Sequence, residues 1–223
     1  MKSSQESIHI KAQSNKHGLF LIAIGLSLLV FILILAQWFW DSWRIVLIFA
    51  ILTSLIIAVT GVLKKCQPAF SLTLTRKQLI YHHSHGIYQI KWQNIANISS
   101  VTESVYLDQI TLPYIGIKLD NIDDFIPDVE QRLANKLIHE QKPLIIFALT
   151  HKLLTLEQSL INFDPYKLQH GKSISGPKAA FMHQVKQLHK AFGYHLFIPL
   201  SALDRDIPQS IALLNQCKQF STN

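Results

Sequence analysis

The chain of 223 residues carries a formal net charge of +7 and has a positive mean hydropathy of +0.22. Only 16% of its residues are charged, and the apolar excess lies in two stretches instead of along the whole chain. This composition excludes a wholly soluble enzyme, a transporter with many spans and a disordered chain, but it names no activity.

Two uncharged apolar stretches follow an N-terminal tail of residues 1–18. They cover residues 19–36 and 45–63, and as a helix the first is about 27 Å long, close to the roughly 30 Å of a bilayer core. Because only residues 37–44 separate them, we expect an antiparallel hairpin that crosses the membrane twice. A cleaved signal peptide is the alternative for the first stretch, but its apolar region exceeds the usual length of about 7 to 15 residues and no small-x-small cleavage pattern follows it.

The connector between the two expected spans is rich in aromatic residues. Amphipathic rings favour the headgroup level of a bilayer, where one edge of the ring meets water. We therefore expect an interfacial position for Trp38, Phe39, Trp40 and Trp43.

Basic residues are distributed unequally around the two spans. The connector holds only Arg44, beside Asp41. The flanks hold Lys2, Lys11, Lys16, Lys64, Lys65, Arg76 and Lys77. The positive-inside rule then predicts that both termini are cytoplasmic, in an inner-membrane protein with two spans.

Small residues recur at every fourth position in both spans, a spacing that lets helix backbones approach closely. They are Ala23, Ser27, Ala50, Ser54 and Ala58. Two interpretations stay open: packing of the hairpin within one chain, or a homo-oligomer formed through the small-residue stripe of the second span. Neither span contains an ionisable residue, so an ion pathway is not expected.

Residues 64–223 form the expected cytoplasmic domain, and they begin with the alternating pattern of half-buried strands. The expected strands cover residues 71–75, 79–83, 87–92, 97–106 and 114–119. A turn at His85 and Gly86 joins the second strand to the third, which predicts an antiparallel meander. Tyr88, Ile90 and Trp92 share one face of the third strand, and we assign them to the structural core.

After residue 120 the apolar period changes to that of helices, which predicts a helical insertion at about residues 128–177. Asp128 is expected to cap a helix that ends near Glu140, and Thr155 with Gln158 predicts a capping box for a short helix ending near Phe163. Residues 143–154 stay open between helix and strand, although a proline at a first helical position favours helix. The other expected segments are a loop at 164–177, a helix at 178–192, a strand at 194–199 and a C-terminal helix at 208–219.

The order of these segments carries a resemblance to a known group. It rests on the two spans followed by FSLTLT, QLIYHH, IYQIKWQNIANI, IGIKLDNIDDFI and GYHLFIPLSALDRDIPQSIALLNQC. The chain resembles bacterial pleckstrin-homology-like (PH-like) membrane proteins. More closely, it is similar to uncharacterised bacterial two-helix membrane proteins known only as a domain of unknown function. The resemblance implies an α+β protein: a transmembrane helical hairpin, then an antiparallel-sheet PH-like domain with inserted helices and a C-terminal helix.

Three groups of residues suggest chemistry, and in each the spacing favours a structural interpretation. His82, His83 and His85 could ligate a metal, but a solvent-facing hairpin end explains them as well, and no metal is assigned. The acidic residues Asp120, Asp123, Asp124 and Asp128 lack the glycine and the terminal glutamate of a calcium loop. Residues 171–173 lack the first glycine of a phosphate-binding loop. Cys66 and Cys217 are expected to stay reduced, and no cofactor is predicted.

Positive charge is the remaining feature. No acidic residue lies between Asp164 and Asp204, and this stretch with its surroundings supplies a basic surface made of Lys167, Lys172, Lys178, Lys186 and Lys190. An ordinary solvated helix would explain these lysines, whereas a tethered domain could use them to contact anionic lipid or an acidic protein. Nucleic-acid binding is not expected, because arginine is scarce and no recognised module is present.

The sequence therefore predicts a membrane-tethered cytoplasmic module that binds or scaffolds an unknown ligand and is not an enzyme. The alternative is an unrecognised hydrolase or transferase that acts on a membrane-derived substrate. Such an enzyme would show a deep polar pocket with convergent groups of shifted pKa.

Overall fold

A computed structural model describes residues 7–11, 18–65, 70–105, 108–169 and 171–222 of the chain. The chain divides into two compact units. One unit is residues 12–69, and the other combines residues 1–11 with residues 70–223. The second unit is called the sheet domain below.

The first unit is dominated by one long helix, α1 (Gly18–Lys65), which is interrupted at Trp43, where φ is −127° and ψ is 27°. The residues expected to form a connector are thus helical except at this break. By length and composition, α1 is the one helix among the described residues that could cross a membrane.

Residues before and after the break in α1 are in contact. A Cβ placed on Gly25 would come within 2.6 Å of the Ala58 backbone nitrogen, and one on Gly61 within 2.7 Å of the Ile22 nitrogen. The buried positions recur every seven residues in each half of α1, and they are Gly18, Gly25, Ile32, Leu47, Ser54 and Gly61. Among the small residues singled out from the sequence, Ser54 is buried and Ala58 lies against Gly25, whereas Ala23 and Ser27 are exposed.

The sheet domain begins with a four-stranded antiparallel sheet, the first sheet, in the order β1-β2-β3-β4. Its strands are β1 (Ile8–Ile10), β2 (Leu72–Leu74), β3 (Gln78–His83) and β4 (Gly86–Lys91). The predicted strands and hairpin are confirmed, but the turn consists of Ser84 and His85, and Gly86 already pairs with His83. No element was predicted for residues 8–10. They form β1 and pair with β2, although α1 separates the two strands in sequence.

A second antiparallel sheet contains three strands in the order β5-β6-β9. They are β5 (Ile95–Val105), β6 (Asp108–Leu119) and β9 (Leu196–Pro199). The expected single meander is therefore wrong, because the chain makes a 3₁₀ turn at Trp92–Asn94 after β4. This turn directs Trp92 into the core and ends the first sheet. The predicted strand at 194–199 is confirmed as β9.

The main core of the sheet domain lies between the two sheets and the helices packed on them. Trp92 is 1% exposed and its Nε1–H donates to the Thr75 carbonyl at 2.8 Å. Tyr88 and Ile90 are buried beside it, and the Tyr88 ring packs edge-on against Phe125 with centroids 5.1 Å apart. Burying an aromatic ring while satisfying its N–H is the usual condition for a tryptophan at a core centre.

The first inserted helix, α2 (Gln131–Glu140), begins later than the sequence suggested. Asp128 belongs to a preceding 3₁₀ turn, Ile126–Asp128, and it does not cap α2. The reason is that Val129, which follows the turn, is extended and fully buried, so the helix can start only after this residue has entered the core.

The remaining insertion is helical, as expected, with one addition. Residues 142–150 form α3 (Lys142–Thr150), with Pro143 in its first turn, and α4 (Leu156–Ser159) follows with the predicted capping box of Thr155 and Gln158. Helix α4 therefore ends at Ser159, whereas the sequence predicted an end near Phe163. The expected loop at 164–177 contains a small hairpin, β7 (Tyr166–Lys167) with β8 (Ser173–Ile174), which turns at Gly171 with φ of +78°.

Two longer helices complete the domain. Helix α5 (Pro177–Phe192) ends where Gly193 adopts a left-handed φ of 80°, as its sequence predicted. Helix α6 (Ile207–Thr222) packs on β5 and β6. A second, smaller core lies where α3 and α5 meet the second sheet, and its buried members are Val101, Leu112, Leu144, Ala148, Leu154, Leu188, Phe192 and Phe197.

Candidate functional site

The lysines of the basic surface divide into separate positions. Lys186 and Lys190 are exposed and one turn apart on α5, so they project from the same face of the helix. Lys178 lies two turns earlier, is half-buried, and donates from Nζ to the Pro127 carbonyl at 3.3 Å. The structure thus brings together Lys186 and Lys190 and gives Lys178 a local hydrogen bond.

Lys167 and Lys172 belong to the small β7–β8 hairpin, and both are exposed. This hairpin packs on α5, because the Tyr166 ring meets the His183 ring at 5.3 Å. Burial, with a smaller contribution from Asp123, raises the pKa of Tyr166 above its usual value. Lys167 therefore lies next to Tyr166, which contacts α5, the helix that carries Lys186 and Lys190.

The structure adds an exposed apolar segment, residues 156–163, that sequence reasoning missed. Four of its eight residues are large apolar side chains that remain exposed: Leu156 (67%), Leu160 (67%), Ile161 (42%) and Phe163 (56%). The sequence predicted a short helix ending near Phe163 and assigned its apolar side chains to neither the core nor the surface. No signal in the sequence identified this exposure, because apolar segments at residues 143–154 and 178–192 offered possible packing partners.

Local hydrogen bonds fix the exposed apolar segment against α5. The Gln158 N–H donates to Thr155 Oγ1, and the Thr155 N–H donates to Gln158 Oε1. Further on, the Asp164 N–H donates to Asn162 Oδ1 at 2.7 Å, and the Asp164 carbonyl lies 3.1 Å from His183 Nε2. One hydrogen bond, from His183 to the residue that follows the segment, thus joins its end to α5, and the apolar side chains stay exposed.

A pocket of about 80 Å³ lies between this segment and α5. Leu160 and Ile161 line it on one side, and His183 and Gln187 on the other. On a helix, Lys186 and Lys190 fall within about 100° of His183 and Gln187, since successive residues are rotated by about 100°. The exposed apolar segment and the two lysines therefore adjoin on one side of the sheet domain.

The three clustered histidines have separate partners. His82 Nε2 and His9 Nδ1 both lie about 3 Å from the Thr73 hydroxyl, at 3.0 and 3.1 Å. Burial, then the nearby His9, lowers the pKa of His82. His83 Nε2 lies 3.1 Å from Glu140 Oε1, and its Nδ1 accepts the His85 N–H at 3.2 Å.

Glu140 is the acidic residue that faces this histidine cluster. Burial alone would raise its pKa, but the hydrogen bond and charge of His83, together with Lys136 and His85, lower the pKa overall. Lys136 Nζ lies 3.7 Å from the same carboxylate oxygen. Among the described residues, no group of three or more His, Cys, Asp or Glu side chains is arranged to hold a metal ion.

One residue of the acidic group, Asp123, and one cysteine, Cys217, have structural surroundings. Asp123 is buried and its carboxylate accepts the Gln169 N–H, which joins the segment after β6 to the β7–β8 hairpin. Burial raises the pKa of the Cys217 thiol, which disfavours the reactive thiolate. Cys66 lies outside the described residues. Lys172 and Ser173 of the apparent phosphate loop belong to the turn and second strand of that hairpin.

The aromatic residues expected at a membrane interface belong to α1 and are exposed. Trp38 is 83% exposed, and Phe39, Trp40 and Trp43 are also exposed, with Trp43 at the break of the helix. Arg44 Nη2 lies 3.4 Å from Asp41 Oδ1 in the same region. The expected basic flank before α1 includes Lys2 and Lys16, which lie outside the described residues.

Comparison with known protein families identifies the family to which the chain belongs. A family model matches residues 72–220, which is more than half of the chain. The chain belongs to the family described as "Protein of unknown function (DUF2982)". The DUF2982 match starts at β2 and ends within α6, so it includes the lysines and the exposed apolar segment, whereas β1 and α1 lie before it. Searches of curated proteins and of solved structures found no match.

Proposed function

We propose that this chain is a two-pass membrane protein, in which α1 forms a transmembrane hairpin that tethers the DUF2982 domain to the cytoplasmic face of the inner membrane. The domain acts there as a non-enzymatic binding or scaffolding module. The pairing of β1 with β2 is the observation that carries this proposal.

Strands β1 and β2 flank α1 in sequence and are neighbours in one sheet. Ile8 pairs with Leu74, and Ile10 pairs with Leu72. A chain that leaves a sheet and returns to it can cross a bilayer in between only an even number of times. This favours two crossings by α1 over one, and it argues against cleavage of the first span as a signal peptide, since cleavage would remove β1.

The interior of α1 supports the same proposal. The break at Trp43 and the close approach of Gly25 to Ala58 are what an antiparallel helix pair requires. Hydroxyl groups within α1 donate to carbonyls three or four residues earlier, as polar groups must when lipid replaces water. These hydroxyls belong to Ser27, Thr53, Ser54 and Thr60.

The cytoplasmic orientation is supported by charge. Lys11, Lys64 and Lys65 flank α1, and the only basic residue near its break, Arg44, is paired with Asp41. The excess of lysine on the side shared by β1 and β2 favours a cytoplasmic sheet domain.

We also propose that the sheet domain is PH-like and binds through its surface. Four- and three-stranded antiparallel sheets with a C-terminal helix support the first point. The pocket beside α5, at about 80 Å³, is small beside the roughly 300–1,000 Å³ of typical ligand sites. A surface that carries Lys186 and Lys190 therefore suits anionic lipid or an acidic protein better than the pocket suits a small substrate.

Reporter fusions test this topology. A reporter that fluoresces only in the cytoplasm should be active at both termini, and a phosphatase that is active only after export should be active when inserted at Asp41. The control is the same phosphatase at the C-terminus, where it should be inactive. Phosphatase activity at the C-terminus, or loss of an N-terminal tag by cleavage, would refute the two-span proposal.

A further inference from the structure

The exposed apolar segment, residues 156–163, differs from the rest of the sheet domain in what it presents to solvent. Among the other described residues of that domain, the exposed large apolar side chains are Ile8, Ile87, Ile146 and Phe220, which belong to four different elements. Here four of them, Leu156, Leu160, Ile161 and Phe163, fall within eight residues. A contiguous exposed apolar surface next to charged residues indicates an interaction surface.

The charge around this segment has one dominant sign. Residues 141–192 contain seven lysines and two acidic residues, Glu157 and Asp164. Lys186 and Lys190 are exposed on α5, within one turn of His183 and Gln187, which line the pocket together with Leu160 and Ile161. Lys167 is exposed on the hairpin that contacts His183 of the same helix.

We propose that the exposed apolar segment inserts into the interfacial layer of an anionic bilayer, while Lys167, Lys186 and Lys190 contact the lipid headgroups. Apolar side chains bordered by lysine are the chemistry of segments that lie in a membrane interface. This inference rests on the proposed function, because the transmembrane hairpin supplies the membrane to which the segment docks. Docking of the segment adds a second, reversible membrane contact to the permanent contact made by the transmembrane hairpin.

Charge complementarity selects lipid over a second copy of the chain. Two such surfaces facing each other would bring the lysines of both copies together, and like charges across an interface are unfavourable. An anionic leaflet meets the lysines with opposite charge and accepts the apolar side chains in the same plane. The tether also favours lipid, since only residues 66–69 separate Lys65 from Phe70.

The test uses the full chain reconstituted in vesicles of phosphatidylcholine, alone or mixed equally with phosphatidylglycerol. Cys66 and Cys217 are first changed to serine. An environment-sensitive fluorophore is then attached at Phe163→Cys, or at Ile87→Cys as the matched control on β4. We expect the emission at position 163 to shift to shorter wavelength only in anionic vesicles, and the emission at position 87 to be the same in both.

The lysines are tested in the same system by the double variant Lys186→Gln/Lys190→Gln. The ratio of docked to undocked domain should fall by about fivefold for each lysine removed. The control variant, Lys77→Gln/Lys91→Gln, removes two exposed lysines near the ends of β3 and β4 and should leave the ratio unchanged. Added salt should reduce docking, because it screens exposed charges.

The outcomes separate this inference from the proposed function. If the chain resists alkaline extraction but the emission at position 163 is the same in both vesicle types, docking is refuted and the tether remains. If the shift depends on the ratio of protein to lipid instead of on anionic lipid, the segment binds a second copy, which also refutes docking. If alkali extracts the chain, both proposals are wrong.

Discussion

Helix α1 and the sheet domain place their apolar side chains in opposite ways. In the sheet domain Trp92, Phe125 and Phe181 are among the largest buried side chains, each at 2% exposure or less. In α1 most large apolar residues are exposed, and the buried positions are few and include Gly18, Gly25, Ser54 and Gly61. Water drives the first arrangement, whereas the second fits our proposal that α1 is a helix pair in lipid, where small residues let the backbones approach closely. The two regions therefore depend on different residue types for stability.

The largest effect that would test this contrast is the loss of Trp92. Trp92→Ala empties the centre of the main core and should lower the free energy of unfolding of the sheet domain by about 3–5 kcal/mol. The measurement is thermal or denaturant unfolding of the full chain in detergent. Trp43→Ala, which removes an exposed ring from α1, is the matched control and should leave the domain's unfolding unchanged. Equal unfolding of the Trp92 variant and the parent would contradict the core assignment.

A smaller loss should follow from adding a side chain at the helix contact in α1. A Cβ at position 25 would lie 2.6 Å from the Ala58 nitrogen, so Gly25→Leu should separate the two halves of α1 and destabilise their packing by about 1–3 kcal/mol. Cysteines at positions 18 and 64, whose Cβ atoms would lie 3.5 Å apart, would report the separation through lower disulfide yield in a chain whose Cys66 and Cys217 are changed to serine.

The control for this change is Ser27→Leu. Ser27 is exposed on the same half of α1, so the variant adds a leucine without placing a side chain at the contact of Gly25 with Ala58. It should leave the disulfide yield close to that of the parent. If Gly25→Leu also leaves the yield unchanged, α1 is not held by this contact, and the contrast between the two regions would lose its main support.

Local sequence patterns predicted the elements whose cause is local. Alternation identified β2, β3 and β4, the Thr155–Gln158 spacing identified the cap of α4, and Gly193 marked the end of α5. Strand β1 could not be predicted in this way, because three residues carry no period and their partner strand follows α1. The division into two sheets was also missed, since it depends on a 3₁₀ turn that is stabilised by burying Trp92.

The candidate site was only half predictable for a similar reason. The lysines were visible as a run without acids, and Lys186 and Lys190 do share a face of α5. The exposed apolar segment was not visible, because leucines at a helical spacing predict burial unless the packing partner is known. Exposure is a property of the tertiary structure, and here α3 and α5 bury their apolar faces against each other and the second sheet.

A pH-dependent effect confined to the sheet domain should come from His195. Its Nδ1 accepts the Leu119 N–H at 3.0 Å and its ring stacks on His189 at 3.9 Å. Burial, followed by His189 and Lys118, lowers the pKa of His195 from 6.5 to about 4. Between these values the unfolded chain binds a proton that the folded chain does not bind. The free energy of unfolding should therefore fall as the pH is lowered from about 6.5 towards 4.

His195→Asn separates this contribution from that of other groups. Asparagine keeps an acceptor for the Leu119 N–H but does not titrate, so the variant should lose less stability than the parent over the same pH range. Differences between the two unfolding curves isolate His195, because the lowered pKa of His82 affects both proteins equally. Parallel curves for the two proteins would show that His195 does not titrate as its surroundings indicate.

The smallest effect concerns the capping box that fixes the exposed apolar segment. An N-cap threonine replaced by alanine costs about 1 kcal/mol of helix stability, but α4 has four residues and no buried one. Thr155→Ala should therefore speed hydrogen exchange at the amides of Gln158 and Ser159, while global unfolding changes by no more than about 0.5 kcal/mol. Thr150→Ala is the control, because the Thr150 hydroxyl donates to the Ile146 carbonyl within α3 and does not contact the cap.

If both variants exchange like the parent, the capping box does not hold the segment. Its apolar side chains would then owe their exposure to the contacts of Asp164 with Asn162 and His183.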